Sequence, residues 1–550
     1  MDGRCVVIKF RFLLLSRRSV GGDFPFCVAE EKEEFQPAER LVNSKFVRRC
    51  LMARFAIVCL LWNLIPASCF GQGSLSATPP DPRGPAVPAT DVGPASRMTQ
   101  QQRLQMVWLV TPASEPKPVF RYRFWPHESS LHPGSAQLHY FRAMTFMNSK
   151  PDVVSQITKL SEWDADPDLT EERAVLDAMK SSLEELQALA LCEDISWGAR
   201  LRDIRGPAGY YVSFEDVQPA RNLARLLRIQ ARVQVRENDF EAAARTIQAG
   251  HRLAALIGNG ESVIQRLIGV ALNAIMRDTI EYMIQTPGCP NLYWAMATVP
   301  QPLVQMRRSI ELELDGIHRA FPVLREAAAA DWNEEQANHE WVAAITQLKE
   351  LTGKSNDPAN LQILTAMDIT PFVEPAALRL KAGGWTDDAI AKMAASGIVM
   401  ADAATELDRM ADELMKGELL PRSQRQRTGQ AAFQLYTQWI EKEMTTSAGA
   451  LFASVLFPGI LQIDVAEGRC PTMYRRLMTL EAIRMYAASH SGEAPESLDQ
   501  LTAAPALNSL ETEQPFEYRI EQNGDERTFV LSGDIPGFEI ARDLRFRIVK

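Results

Sequence analysis

One cluster of residue types suited to chemistry lies between positions 194 and 211. It combines Trp, Tyr, Arg and Asp side chains, which suit stacking on a sugar ring, clamping of a carboxylate or a protein-binding hot spot. Salt bridges at a junction between a helix and a loop would use the same residue types, and both interpretations stay open. The candidate binding residues are Asp194, Trp197, Arg200, Arg202, Tyr210 and Tyr211.

Three of the seven histidines, His127, His132 and His139, fall close together. Imidazole nitrogens bind zinc and copper, so these residues are the candidates for a metal site. However, the spacing from His127 to His132 is one residue too long for a helical zinc-binding pair, and Pro126 and Pro133 interrupt any helix. The sequence therefore favours a packed segment of aromatic residues and histidines, with no metal and no cofactor.

The sequence lacks the common stereotyped catalytic motifs. It has no Gly-x-Ser-x-Gly, His-Glu-x-x-His, Cys-x-x-Cys or Gly-x-Gly-x-x-Gly. With 59 basic and 69 acidic residues the formal charge is −10, which makes nucleic acid and anionic membrane surfaces poor partners. These features favour binding over catalysis and leave open an enzyme with a dispersed site.

Helical periodicity dominates residues 98–463. In Phe240–Ile257 apolar side chains recur three or four residues apart, and a capping residue precedes the first of them. The same pattern predicts the preceding helix, Arg221–Glu237, so the predicted fold class is mainly α. Further helices are predicted over Val263–Ile284, Leu303–Ala320, Trp332–Leu351, Pro375–Lys381, Thr386–Ala395, Ala401–Lys416, Gln430–Thr445 and Pro471–Ser489.

The helix pair 221–257 resembles a tetratricopeptide unit. Small residues, Ala231 and Ala243, stand where the two helices must approach closely, and Phe240 lies at the aromatic position beside the turn. The resemblance implies a tetratricopeptide-like or α-solenoid helical domain, although no second unit follows at the family's period of about 34 residues.

The C-terminal part, 464–550, changes character after its helix. Alternating residues around an Asn-Gly turn predict a β-hairpin of Pro515–Glu521 with Thr528–Ser532. A further strand is predicted at Phe546–Val549. We therefore expect a small antiparallel β module that follows the helical domain.

This module resembles the helix–loop–strand part of pseudopilins. The matching positions are Tyr486 at the end of the helix and the turn residues Gly492, Pro495, Ser497 and Leu498. The resemblance implies a structural role in a secretion assembly, but the long apolar N-terminal helix of pilins does not precede the module.

A broader resemblance covers most of the chain. The segments Tyr122–Phe124, Asp194–Gly198, Gln285–Trp294 and Leu480–Tyr518 resemble a family of secreted, uncharacterised bacterial helical proteins. The resemblance implies a secreted bacterial protein, and it implies no particular activity.

A secretory signal peptide is predicted at Met52–Gly73. Arg54 gives a positive start, an apolar run follows, and small residues precede a cleavage site after Gly71. The apolar run is too short for a stable membrane anchor. Anchoring as a lipoprotein through Cys69 is the alternative to a free periplasmic or extracellular protein.

Export would divide the chain into four parts. A pre-region and signal peptide, 1–71, with translation starting at Met52, precede a Pro-rich disordered linker, 72–97. The helical domain, 98–463, and the C-terminal module, 464–550, follow. Whether residues 1–51 are translated does not follow from the sequence.

The apolar stretch Gly449–Ile463 has 15 residues and contains Pro458. A membrane helix needs ~20 apolar residues, so we expect a buried, broken helix here, with membrane contact as the alternative. Beyond the signal peptide, the sequence predicts no stable transmembrane helix.

Five of the eight cysteines precede residue 72. The other three, Cys192, Cys289 and Cys470, are too widely spaced for a disulfide framework or a zinc site. Buried thiols are expected, and the pairing in any single disulfide stays open.

These observations predict an exported helical scaffold that binds a protein partner in the cell envelope without catalysis. The alternatives are a cell-envelope enzyme or carbohydrate-binding protein with a dispersed site, and a structural component of a secretion assembly. Neither the partner nor the oligomeric state follows from the sequence.

Export makes the first testable prediction. The protein isolated from its source should begin near Gln72, because a signal peptidase removes the segment before its cleavage site. Intact-mass measurement should therefore match 72–550. A mass that corresponds to a start at Met1 or Met52 would contradict the prediction.

Overall fold

The computed structural model describes residues 106–161, 168–198, 200–206, 208–209, 215–352, 366–457, 463–535 and 543–549. They all lie within one compact unit, Arg48–Lys550. The predicted signal peptide and Pro-rich linker lie outside the described residues. The described part is mainly helical with a small C-terminal sheet. This confirms the prediction of a mainly α fold with a small β module at its C-terminal end.

The helices and strands occur in the following order. The first part contains β1 (Val107–Val110), β2 (His132–Ser135), α1 (Ala136–Asn148), α2 (Pro151–Leu160), α3 (Leu169–Ala178), α4 (Lys180–Ala190) and β3 (Cys192–Asp194). The middle contains α5 (Ala220–Arg236), α6 (Phe240–Gly258), α7 (Val263–Gln285), α8 (Tyr293–Ala297), α9 (Arg307–Ala320), α10 (Val323–Glu326), α11 (Glu334–Thr352), α12 (Thr370–Ala382), α13 (Asp387–Ala391), α14 (Ala395–Glu418), α15 (Arg422–Glu443) and α16 (Ala448–Leu456). The last part contains α17 (Ile463–Ser489), β4 (Glu517–Asn523), β5 (Glu526–Ser532) and β6 (Asp543–Ile548).

α5 and α6 form the helical hairpin that the sequence predicts. Asp239 caps α6, because its side chain accepts a hydrogen bond from the backbone N–H of Ala242 at 2.9 Å. Asn238 takes the left-handed conformation, with φ 61°, that closes the turn. Ala231 and Ala243 are fully buried. The hairpin is confirmed, and the wider solenoid stays a prediction.

α6 and α7 approach so closely that their contact requires glycine. A Cβ atom added to Gly269 of α7 would lie 2.7 Å from the Cα of Gly258 and 2.8 Å from the backbone oxygen of Ala254. Both of these atoms belong to the backbone of α6 and cannot move independently of that helix. Further along the same contact, Gly250 of α6 leaves room for Met276 of α7.

A buried ion pair in α17 joins segments that are distant in sequence. Glu481 and Arg484 are both fully buried, and the guanidinium donates to the carboxylate at 2.6 Å. Arg484 also donates to the backbone oxygens of Thr111 and Cys289, each at 2.8 Å. The carboxylate of Glu481 accepts from the backbone N–H of Leu292 at 2.7 Å. The chain after β1 and the chain before α8 are therefore fastened to α17.

The apolar interior forms two cores. The first contains side chains of 108–299 together with those of 470–546. The second lies within 263–457 and is built mainly by α9 to α16. α17 and the C-terminal sheet thus pack with the N-terminal helices. Most residues of the second core lie between these two parts in the sequence.

The C-terminal sheet differs from the prediction of a purely antiparallel module. Its strand order is β1-β6-β5-β4. The β4–β5 hairpin around Gly524 is as expected, and β6 pairs antiparallel with β5. However, β1 pairs parallel with β6, with Val107 opposite Arg545. The strand β1 within the predicted helical domain was not predicted, because local periodicity cannot reveal pairing between segments that are distant in sequence.

Two prolines lie inside helices that were predicted to start at them. α12 contains Pro375 and α17 contains Pro471. A proline inside a helix removes one backbone hydrogen bond and crowds the preceding turn, so it is a common helix boundary. Packing of α12 on α14, and of α17 on α7 and α8, outweighs that cost.

The apolar stretch predicted as a broken helix contains α16, whose side chains fill the second core. Leu451 and Phe452 are fully buried, and the Phe452 ring meets Phe321 edge-on at 5.0 Å. Residues 458–462 lie outside the described residues. None of the helices that the structure describes is long and apolar enough to span a membrane.

The glycine contact between α6 and α7 makes a stability prediction. Gly269→Ala should lower the free energy of unfolding by ~1–3 kcal/mol, because the methyl group overpacks against backbone. Gly429→Ala in α15 is the matched control, since an added Cβ there meets nothing within 4 Å. It should stabilise the helix by up to ~1 kcal/mol. Equal thermal unfolding of the wild type and Gly269→Ala would contradict the proposed contact.

Candidate functional site

β2 and β3 place one residue of each predicted polar cluster, His132 and Asp194, on neighbouring strands. The strands pair in parallel, with His132 opposite Cys192 and Ser135 opposite Asp194. Sequence analysis treated the histidines and the 194–211 cluster as separate sites. The sequence carries little signal of this pairing, because each strand has only three or four residues.

Asp194 and Trp197 contact the chain around them. The Asp194 carboxylate accepts from the backbone N–H and the hydroxyl of Ser196, at 2.8 and 2.6 Å, and these hydrogen bonds lower its pKa. The Trp197 ring packs edge-on against Tyr140 at 5.6 Å and lies 5.8 Å from Phe141. Asp194 thus shapes the turn that places Trp197 against α1.

Arg202 forms an ion pair with Glu261 in the loop between α6 and α7. Its backbone N–H and its guanidinium both donate to the Glu261 carboxylate, and Arg308 lies 3.6 Å away. Burial alone would raise the pKa of Glu261, but the hydrogen bonds from Arg202 outweigh it and the pKa is lowered. The Arg202–Glu261 ion pair therefore fastens residues 200–206 to the loop between α6 and α7.

A small cleft lies beside this ion pair. The backbone N–H of Gly206 donates to the Arg319 carbonyl at 2.7 Å and closes one side. The cavity volume is about 30 Å³, enough for about two water molecules. Pockets for small organic ligands are typically ~300 Å³ or larger. The lining residues are Leu201, Ile204, Gly206, Gly209, Glu261, Leu312, Glu313, Gly316, Arg319 and Ala320.

The remaining members of the predicted cluster do not complete a pocket in the described structure. Arg200 is exposed. Tyr210 and Tyr211 lie outside the described residues. The polar atoms of Asp194 and Arg202 are bound to different parts of the chain, so the two residues are not directed at one common ligand.

The three candidate histidines have separate partners. The His127 ring caps the short 3₁₀ turn Glu128–Ser130 by accepting from the backbone N–H of Ser129. His132 is exposed at the start of β2, and His139 forms a 2.6 Å contact with Glu185 of α4. Across the described ranges, no group of three or more His, Cys, Asp or Glu residues is placed to hold a metal ion. Cys192, Cys289 and Cys470 are free thiols and buried.

An exposed apolar surface lies on α1 next to Trp197. Leu138 is 51% and Phe146 44% exposed, although both are large hydrophobic residues. Phe141, also on α1, is half-buried and contacts Trp197. We call Leu138, Phe141, Phe146 and Trp197 the α1 surface. The sequence predicts Trp197 as a binding residue but does not predict the exposed side of α1, because the weak periodicity of α1 does not reveal which side is covered.

A buried histidine that sequence analysis also missed lies at the centre of the first core. His251 of α6 contacts the Phe124 carbonyl through Nδ1 and the Tyr474 hydroxyl through Nε2. A carbonyl can only accept, so Nδ1 carries the proton and Nε2 accepts from Tyr474. Burial lowers the pKa of His251 to about 3, so the ring is neutral and joins α6 to α17.

Comparisons of the chain with protein-family models, with curated proteins and with solved structures found no match. The resemblances proposed from the sequence therefore stay predictions.

The buried His251 makes a pH prediction. The unfolded chain protonates this ring below about pH 6.5 and the folded protein only below about pH 3. The unfolded state therefore binds more protons between these values, and stability falls as the pH falls below 6.5. At pH 5 the loss should be ~2 kcal/mol from this residue.

Denaturant unfolding at pH 7 and pH 5 tests this effect in the wild type and in His251→Gln, whose amide does not titrate. The stability of the variant should fall less between the two pH values. Equal losses in both proteins would contradict a neutral, buried His251.

Proposed function

We propose that this protein is an exported helical scaffold that binds a protein partner in the cell envelope through the α1 surface. The observation that carries the proposal is the exposure of Leu138 and Phe146, two large apolar side chains on the solvent side of α1, the helix against which Trp197 packs. Large apolar side chains are costly to leave in water, and a cluster of them on a surface is typical of a binding site.

The packing of α1 supports an α1 surface that is already ordered before a partner binds. Its opposite face is fixed in the first core by Tyr140, Ala143 and Met147, all almost fully buried. The hydroxyl of Ser182 in α4 donates to the backbone oxygen of Ala143 at 3.0 Å. A partner would therefore meet side chains whose backbone is already ordered, which lowers the entropic cost of binding.

Two arginines suggest the chemistry of the partner. Arg142 lies on α1 between Leu138 and Phe146, and Arg200 follows Trp197 by three residues. Both are exposed, and neither forms an ion pair with any residue in the described ranges. Since Arg, Trp and Phe are frequent in interface hot spots, we infer a partner surface that is apolar at its centre and acidic at its rim.

The α1 surface makes a binding prediction. A photocrosslinking residue at position 138 should capture one partner from envelope fractions, and the same residue at Leu378 should not. Leu378 is the matched control, because it is 62% exposed and lies on α12, a helix that packs in the second core. With the captured partner purified, Leu138→Asp together with Phe146→Asp should weaken binding at least tenfold, as expected for two hot-spot residues of ~1 kcal/mol or more each.

Leu378→Asp should leave binding unchanged, and all variants should keep the wild-type unfolding temperature. Equal binding by the double variant would refute the α1 surface. A hydrolytic turnover that disappears in Asp194→Asn with Arg202→Gln, while the fold survives, would instead support the alternative of an enzyme with a dispersed site.

A further inference from the structure

The sequence contains two Asn-Gly pairs, Asn259-Gly260 and Asn523-Gly524. Such a pair can react within itself, because the backbone nitrogen of the glycine can attack the side-chain amide carbon of the asparagine and close a succinimide ring. Glycine allows this approach since it has no Cβ atom to obstruct it. The surrounding structure then controls the rate, because both reacting groups must be free and the backbone between them must bend.

Asn523-Gly524 lies at the tip of the β4–β5 hairpin. Asn523 is the last residue of β4 and pairs with Glu526, so that Gly524 and Asp525 alone form the turn. Gly524 takes the left-handed conformation, with φ 63°. Every residue from 522 to 526 is exposed. The reacting groups are therefore in contact with water, and the last pair of an exposed hairpin holds them in place.

Neither reacting group at this tip has a competing partner. Within the described ranges, the Asn523 side chain makes no hydrogen bond and the Gly524 N–H donates to no acceptor. The Gln522 side chain donates to the Gly524 carbonyl at 3.3 Å, which leaves the Gly524 nitrogen free. Opening the end of such a hairpin requires little free energy, because few buried contacts are lost.

Asn259-Gly260 has the same two residues in opposite surroundings. It follows the last turn of α6, where the Asn259 side-chain amide donates to the Ile195 carbonyl at 3.1 Å. Gly260 is buried, and its N–H donates to the Ile257 carbonyl at 3.1 Å. A Cβ atom added to Gly260 would lie 2.4 Å from Oε1 of Gln265, so the glycine is closely packed. Both reacting groups are thus occupied.

We propose that Asn523 is a site of spontaneous modification, with water as the only co-reactant, and that the fold protects Asn259 from the same reaction. The Gly524 nitrogen bonds to Cγ of Asn523, the Cγ–Nδ2 bond breaks, and the amide nitrogen leaves as ammonia with the proton from Gly524. Water then opens the succinimide at either of its carbonyl groups. One opening gives aspartate, and the other gives isoaspartate, in which the main chain runs through the side-chain carbon.

Both products change the tip of the hairpin. Each places a negative charge at position 523, directly opposite Glu526 and two residues before Asp525. Like charges at directly opposed strand positions repel each other. Isoaspartate also lengthens the main chain by one carbon atom, which disturbs the pairing of position 523 with Glu526. The modification therefore loosens this turn and makes the C-terminal sheet more acidic as the molecule ages.

Peptide mapping of the full chain after incubation at mildly alkaline pH tests the proposal. Trypsin releases the two Asn-Gly pairs in separate peptides, 520–527 and 253–266. The 520–527 peptide should give two products of equal mass, one with aspartate and one with isoaspartate, that separate by chromatography. In the folded protein Asn523 should react at least about fivefold faster than Asn259, since two hydrogen bonds must first break at Asn259.

The unfolded chain is the matched control. In denaturant both pairs lose their surroundings, so the two asparagines should react at nearly the same rate. Asn523→Gln, whose longer side chain would have to close a less favourable six-membered ring, should keep the wild-type unfolding temperature and give no modified 520–527 peptide over the same time.

Three results would overturn the proposal: no reaction at Asn523, a reaction of Asn259 in the folded protein that is as fast as that of Asn523, or the same ratio of rates in the unfolded chain. The inference does not depend on the α1 surface, because neither Asn-Gly pair belongs to it.

Discussion

The buried ion pair between Glu481 and Arg484 is the interaction on which the first core depends. Transfer of two charges out of water costs several kcal/mol for each ion, and attraction alone seldom repays it. Here backbone groups satisfy both ions: Thr111 and Cys289 accept from the guanidinium, and Leu292 donates to the carboxylate. These partners come from two segments, at Thr111 and at 289–292, and the pair itself lies in α17, so both ions are satisfied only when all three parts of the chain are in place. The ion pair thus joins three parts of the first core around α17.

The same core positions the α1 surface through α6. Gly258 and Gly269 let α6 and α7 meet backbone to backbone, and the guanidinium of Arg252 in α6 donates to the carbonyl of Cys192 in β3. β3 leads directly into the turn that sets Trp197 against α1. Trp197 and α1 are thus held by contacts from the interior of the protein, and the polar residues Asp194 and Arg202, which suggested a binding site in the sequence, help to hold the chain around them.

Local elements could be predicted from the sequence, and distant contacts could not. The hairpin of α5 and α6 follows from apolar spacing and the cap at Asp239, and the hairpin of β4 and β5 follows from Asn-Gly, since both signals act within a few residues. The parallel pairing of β1 with β6 has no local signal. In the candidate site, the residue types at Trp197 and Arg202 were recognised, but their roles depend on Tyr140 and Glu261, which are far away in sequence.

The position of β1 bears on the order in which the chain can assemble. Its neighbour in the sheet, β6, lies more than four hundred residues later. Closing so long a loop is entropically costly and slow compared with helix formation. A chain that emerges from the ribosome N-terminus first thus holds an uncharged, strand-forming segment without its neighbour until β6 has been made. Until then that segment lacks the strand that pairs with it, and a chaperone that shields it would act on the nascent chain for longer than one that shields a helix, which forms from local contacts.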